Sequence, residues 1–165
     1  VGEVEKAEEI LDLSFEKMPL HLFGYYTLSE PYIKTYYTLN RFDKGYTLYK
    51  EIENKYFEYV EYYSDSYNNK NFRISENAEN IFTYTERLRG LIENQIQSKH
   101  KFVEIESSIQ RFIKLTTVYK DLYGSYDYYN YLTNFLEPLY ELNMEKGRTL
   151  YNGCLLYTSD AADEV

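Results

Sequence analysis

His21 and His100 are the only histidines in the chain, and a histidine does chemistry only in company. As a base it needs an orienting partner, and as a metal ligand it needs further histidines or cysteines at short spacing. Neither has one, so each reads as a surface or hydrogen-bonded residue. The carboxylate pairs Glu51/Glu53 and Glu58/Glu61 have the residue types of an acid and a base. A catalytic pair needs unequal environments that drive the two pKa values apart, and on helices these four read as solvated faces. Gly24 and Gly45 stand alone, with no glycine-rich phosphate loop, serine elbow or zincin pattern around them, and no Asn-x-Ser/Thr acceptor occurs. The sequence thus offers no catalytic residue, no cofactor site and no metal site, and this stretch does not read as an enzyme.

The 22 tyrosines are the most unusual feature of the composition. Tyrosine stacks on sugars and bases through its ring face, so a glycan-binding groove is one reading. The blander one has more behind it: Asn, Lys, Ile and Glu are also abundant, as in an AT-rich genome. Many of the tyrosines also fall at inward helical positions where Phe or Leu would otherwise sit.

With 165 residues, 44% of them hydrophobic and only three prolines and seven glycines, the chain is globular and long enough for one core. No run approaches the length of a membrane span, and the start, Val1-Gly2-Glu3-Val4-Glu5-Lys6, has neither an initiator methionine nor a signal-peptide pattern. The chain reads as truncated at both ends. The string Cys154-Leu155-Leu156-Tyr157-Thr158-Ser159-Asp160-Ala161-Ala162-Asp163-Glu164 resembles the translation of a transposase adapter used in sequencing libraries. Residues 154–165 are therefore expected to be a non-native tail. With the only cysteine inside it, the rest offers no disulfide or thiolate. Taking Asp160, Asp163 and Glu164 from the formal −9 leaves −6 over residues 1–153. An acidic chain with singly scattered cations is a poor match for a phosphate backbone, so nucleic acid is not an expected partner.

Apolar residues recur at helical spacing nearly throughout. Val4, Ala7, Leu11, Phe15 and Met18 form one face of a first helix closed by Pro19. A second is expected from Ser29 as N-cap to Leu39, and a turn at Asn40-Arg41 follows. The third carries Phe42, Tyr46, Tyr49, Ile52, Tyr56, Val60 and Tyr63 and should end near Ser64, before a polar loop over residues 64–71. A fourth, capped by Ser75, presents Ile81, Tyr84, Leu88, Leu91 and Ile96, with a break over residues 98–101. A fifth presents Phe102, Ile105, Ile109, Phe112, Thr116, Tyr119 and Tyr123 and stops at Gly124. A sixth, from about Asp127 to Lys146, contains Pro138. The expected class is all-α: about six helices in antiparallel hairpins.

Gly2, Ala7, Leu11, Ser14 and Pro19 have the spacing of the second helix of a tetratricopeptide repeat: a turn residue, a small one, a bulky one, a small one and a terminal proline. Asn40, Gly45 and Tyr49 repeat the turn, small and bulky positions 38 residues later, without the proline. The small residue admits the paired helix closely and the bulky one fills the gap between repeats. The expectation is a degenerate tetratricopeptide-like (α-α superhelix) array over residues 1–123, an additional helical segment over 124–153 and the adapter-like tail. Because Val1 falls just before the second helix of a unit, the partner helix should lie upstream. An exposed apolar strip is then expected at Val4, Leu11 and Phe15, and residues 1–153 expressed alone should associate.

Met18-Pro19, Phe23-Gly24-Tyr25-Tyr26-Thr27-Leu28-Ser29-Glu30-Pro31-Tyr32, Tyr36-Tyr37 and Tyr84-Thr85-Glu86-Arg87-Leu88-Arg89-Gly90-Leu91 together resemble the C-terminal tail of a bacterial family of multi-pass membrane glycosyltransferases. That family is related to protein O-mannosyltransferases, and the similarity covers about Gly2 to Tyr123. It implies a catalytic membrane domain upstream that uses a lipid-linked sugar donor, with this tail on the extracytoplasmic side. The implied role is docking or acceptor recruitment, with the upstream part of the parent chain or a peptide as partner. A free-standing tetratricopeptide-like adaptor and a glycan-binding module using tyrosine faces are the alternatives.

Overall fold

A computed structural model describes residues 2–68, 74–98, 102–117, 120 and 124–142. Among them the chain is all-α and seven helices occur: α1 Gly2–Lys17, α2 Leu20–Phe23, α3 Tyr26–Thr38, α4 Phe42–Asn68, α5 Ile74–Gln97, α6 Phe102–Leu115 and α7 Ser125–Leu142. None of the described helices is long and apolar enough to cross a membrane. The chain divides into two compact units, Val1–Glu58 and Tyr59–Val165, and the division falls inside α4.

In the first unit α3 runs antiparallel to both α1 and α4. Phe15 of α1 meets the ring of Tyr32 edge-on at 5.7 Å, while Asp12, a turn earlier, accepts a hydrogen bond from Tyr36, a turn later. On the other side Tyr37 stacks on Phe42 at 5.8 Å, and Tyr56, far along α4, donates its hydroxyl proton to Glu30 near the start of α3. Asn40 makes the α3–α4 turn with φ 58°, a left-handed conformation that Asn tolerates better than most residues. Gly45 then permits close approach: a Cβ there would collide with the ring of Tyr37 and lie 3.2 Å from the carbonyl oxygen of Ile33. The turn and small positions read from the repeat spacing have these local roles. Tyr49, Ile52, Tyr56 and Phe57 fill the core with no exposed surface. A side chain such as Ile52 contributes roughly 1.5–3 kcal/mol by that burial.

The second unit is built the same way. Tyr59 and Tyr63 on α4 both face Tyr84 on α5, at 4.6 and 6.0 Å, and Tyr63 also packs on the cluster of Ile81, Tyr128 and Leu132. Phe112 on α6 meets Phe135 on α7 at 4.6 Å, and Leu88, Ile92, Ile105 and Ile109 of the same unit are also buried. Many tyrosines are core residues, as their helical positions predict: Tyr26, Tyr36, Tyr37, Tyr49, Tyr56 and Tyr128 are all buried.

Several expectations are corrected. The polar run 64–68 is the last turn of α4 rather than a loop, because the stripe ending in Tyr59, Val60 and Tyr63 already commits the backbone to helix. Residues 69–71 of the expected loop lie outside the described residues, as do Tyr119, Tyr123, residues 99–101 and everything beyond Leu142. Ser29 is not an N-cap: α3 starts at Tyr26, and Ser29 is fully buried with its hydroxyl turned back to the Tyr25 carbonyl at 3.3 Å. Pro31 sits inside this helix. Helix α5 starts at Ile74, so Ser75 lies within it. An additional short helix, α2, follows Pro19 and ends at Gly24, whose φ of 71° suits a left-handed cap. The strip expected at Val4, Leu11 and Phe15 is not continuous on the surface. Leu11 is buried and Phe15 is half-covered by Tyr32 and Tyr36, while Ile10 and Leu13 are the apolar residues α1 exposes besides Val4.

Candidate functional site

The unexpected helix α2 creates the site. With the end of α1 it forms one wall of an open groove in the first unit, and the first two turns and more of α4 form the other. The groove encloses about 440 Å³ and is lined by Phe15, Pro19, Leu20, Tyr36 and Leu48 among apolar groups and by Asp12, His21, Asp43, Lys44, Thr47 and Glu51 among polar ones. Leu20, Leu48 and Tyr36 are buried and form the floor.

The polar residues fall into two sets. Lys44 lies between two carboxylates of α1, at 2.6 Å from Glu8 and in contact with Asp12, and Arg41 pairs with the other oxygen of Glu8. The hydrogen bonds from Lys44 and then Arg41 hold the Glu8 carboxyl below its usual range. Those same carboxylates, Asp12 first, push the Lys44 ammonium up. The Tyr36 hydroxyl, which donates to Asp12 at 3.0 Å, is pushed far up by burial and by that bond. This network joins α1 to α3 and α4 and satisfies the groove's one lysine internally.

Asp43 and Glu51 form the second set. They share a stripe of α4 with Thr47, at i, i+4 and i+8. Among the described residues no hydrogen bond or ion pair engages either carboxylate. Glu51 does make its charge felt at Tyr25, whose hydroxyl is pushed up by burial first and by Tyr32 and Glu51 after it.

The residues singled out in the sequence are dispersed. His21 lies exposed at the groove edge, and His100 lies outside the described residues. Glu58 pairs with Lys55 at 2.7 Å and Glu61 with Arg111 at 3.1 Å, both on the surface. Glu53 is a correction: it belongs to no solvated face but is 1% exposed, and it accepts hydrogen bonds from the Tyr49 hydroxyl and the Lys50 ammonium. Lys50 supplies the charge that lets a carboxylate stay in that core. No group of three or more His, Cys, Asp or Glu side chains among the described residues could hold a metal ion. The groove itself escaped sequence reasoning because its second wall depends on α2, a four-residue helix too short to leave a periodic signal. The spacing of Asp43, Thr47 and Glu51 at i, i+4 and i+8 is the signal that could have marked its polar wall. Compared with protein-family models, with curated proteins and with solved structures, the chain matches none.

Proposed function

We propose that this chain is a non-catalytic helical interaction module whose first unit takes a protein segment in the groove between α1–α2 and α4. It serves as the organising tail of a membrane-bound glycosyltransferase of the protein O-glycosylation type, lying on the extracytoplasmic side. The observation that carries the binding part is the groove itself: a buried apolar floor of Leu20, Leu48 and Tyr36 bordered by charged residues on α4. A few fixed polar groups around an apolar floor suit recognition of a peptide side chain. The single tyrosine there, Tyr36, is 4% exposed and has its hydroxyl committed to Asp12, which favours a peptide over a sugar stacked on a ring face. The transferase part rests on the resemblance of the segments from Met18 to Tyr37 and from Tyr84 to Leu91.

Two experiments test the two parts. Random peptides are selected against the whole chain and then measured on Thr47→Trp, which places an indole on the exposed groove wall. Selected peptides should bind the parent and lose most of their affinity for the variant; binding that ignores the indole would move the interaction surface elsewhere. For the second part, the coding DNA upstream of Val1 is read. Several membrane-spanning segments there support the transferase tail, whereas a start codon or further soluble repeats directly upstream leave a free-standing adaptor.

A further inference from the structure

The groove has a charge preference as well as a shape. Among the described residues that line it, three are carboxylates, Asp12, Asp43 and Glu51, and the one Lys or Arg side chain, Lys44, already lies between Glu8 and Asp12, with His21 at the groove edge. The two carboxylates left unengaged, Asp43 and Glu51, stand at opposite ends of one stripe. Eight residues of helix separate their Cα atoms by about 12 Å. The buried apolar side chains Leu20 and Leu48 lie on the floor beside that stripe. An incoming segment therefore meets two fixed negative charges with an apolar surface next to them. An extended chain advances about 3.3 Å per residue and returns to the same face every second residue, so side chains four apart lie about 13 Å apart on one face.

We propose, on the strength of the interaction-module assignment, that the groove's ligand is an extended basic peptide segment with Lys or Arg at positions 1 and 5 and an apolar residue at position 3. The outer cations pair with Asp43 and Glu51, and the central side chain rests on Leu20 and Leu48. The acidic whole chain, at −9, adds long-range attraction that speeds the encounter with such a segment.

The test uses the full chain and three fluorescein-labelled twelve-residue peptides with the cores Lys-Ser-Leu-Ser-Lys, Glu-Ser-Leu-Ser-Glu and Ser-Ser-Leu-Ser-Ser, read by fluorescence anisotropy. The basic peptide should bind at least about tenfold more tightly than either other peptide at low salt, and that advantage should shrink as salt screens the pairs. Glu51→Gln should lower the affinity for the basic peptide by roughly three- to tenfold, and the double variant Asp43→Asn/Glu51→Gln further. Asp43 also lies in the first turn of α4, where a carboxylate favours the helix, so circular dichroism accompanies each variant. Glu51 has no such role, which keeps its single variant decisive. Equal binding of all three peptides, or a basic peptide indifferent to Glu51→Gln, overturns the charge rule while leaving the interaction module in place. Loss of binding by Thr47→Trp together with an unselective peptide set marks that case. Peptide binding that Thr47→Trp leaves untouched counts against the groove as the site altogether.

Discussion

A single missing methyl group decides how closely α3 and α4 approach. Gly45 sits in the first turn of α4, at a helical position where alanine would ordinarily be better by up to about 0.5–1 kcal/mol. Its Cβ would collide with Tyr37, which is itself held by stacking on Phe42 and is 8% exposed. Gly45→Ala should therefore lose stability, by about 1–2 kcal/mol net in urea denaturation, because overpacking outweighs propensity. Gly90, also helical but with open space where its Cβ would go, provides the opposite case: Gly90→Ala should gain about 0.5–1 kcal/mol. The spacing from Asn40 to Tyr49 made the small residue at 45 legible; that Tyr37 is what approaches it could not be read from a one-dimensional pattern. Glu93 illustrates a charge with the reverse sign of effect. Burial raises its carboxyl above the usual range, only partly opposed by Arg89 at 3.8 Å, and Glu86 nearby raises it further. Its stabilising contribution is present while it is protonated, below 4.5, and is lost as pH rises through the raised folded value. Glu93→Gln should thus flatten that part of the stability–pH curve and leave the chain no less stable at pH 7, measured by thermal melts across pH 4–7.

Helix α1 shows what an element owes to each kind of contact. Its apolar face is thin, with Leu11 buried and Phe15 half-covered, so the network of Glu8 and Asp12 with Arg41, Lys44 and Tyr36 does much of the docking. A carboxyl held below its ordinary 4.5 stabilises the fold above that pH, and the contribution disappears as pH falls through the lower folded value. Lys44, raised above 10.5, works at the other end: its contribution is intact below that pH and lost as pH rises through the folded value. Protection of the α1 amides, taken relative to the intrinsic exchange rate at each pH, should therefore fall below pH 4.5 before that of α4 does, and Lys44→Gln should bring the onset to higher pH. Protection that falls uniformly through both helices would show that α1 is held by packing alone. The helices themselves were legible wherever three or four apolar residues recur, as in α4, α5 and α6. Local side-chain chemistry marked the turn at Asn40 and the end of α1 before Pro19, but it misled at two places. Ser29 looked like a cap and is a buried back-bonded residue, and residues 64–68 looked like a loop and are helix. In both places the packing of neighbouring tyrosines, Tyr26 on one side and Tyr63 on the other, overrides what serine and asparagine prefer alone. The groove was illegible for a related reason, since α2 arises from Pro19 and Gly24 at its two ends rather than from any periodic pattern.

At the scale of the whole molecule the boundary between the two units carries no mark in the sequence. It falls between Glu58 and Tyr59, in the middle of α4, where composition and stripe continue unchanged. Each unit nonetheless has its own aromatic core, Tyr49, Tyr56 and Phe57 in the first and Phe112 and Phe135 in the second. The other end of the chain makes a sharper prediction. If residues 154–165 derive from an adapter, neither core was selected with them present, and deleting them removes three of the chain's acidic residues. Self-repulsion of a net charge grows roughly as its square, so going from −9 to −6 favours the compact state slightly at low salt. The chain ending at Gly153 should therefore melt at the same temperature as the full chain in 0.5 M salt and at the same or a slightly higher one in 10 mM salt. In a chain of this size about 1 kcal/mol shifts Tm by roughly 2–4 °C, so a fall larger than that on deletion would mean that the segment packs against a core. The adapter origin would then have to be given up, and Cys154, Leu155 and Leu156 would belong with the apolar residues that stabilise the fold.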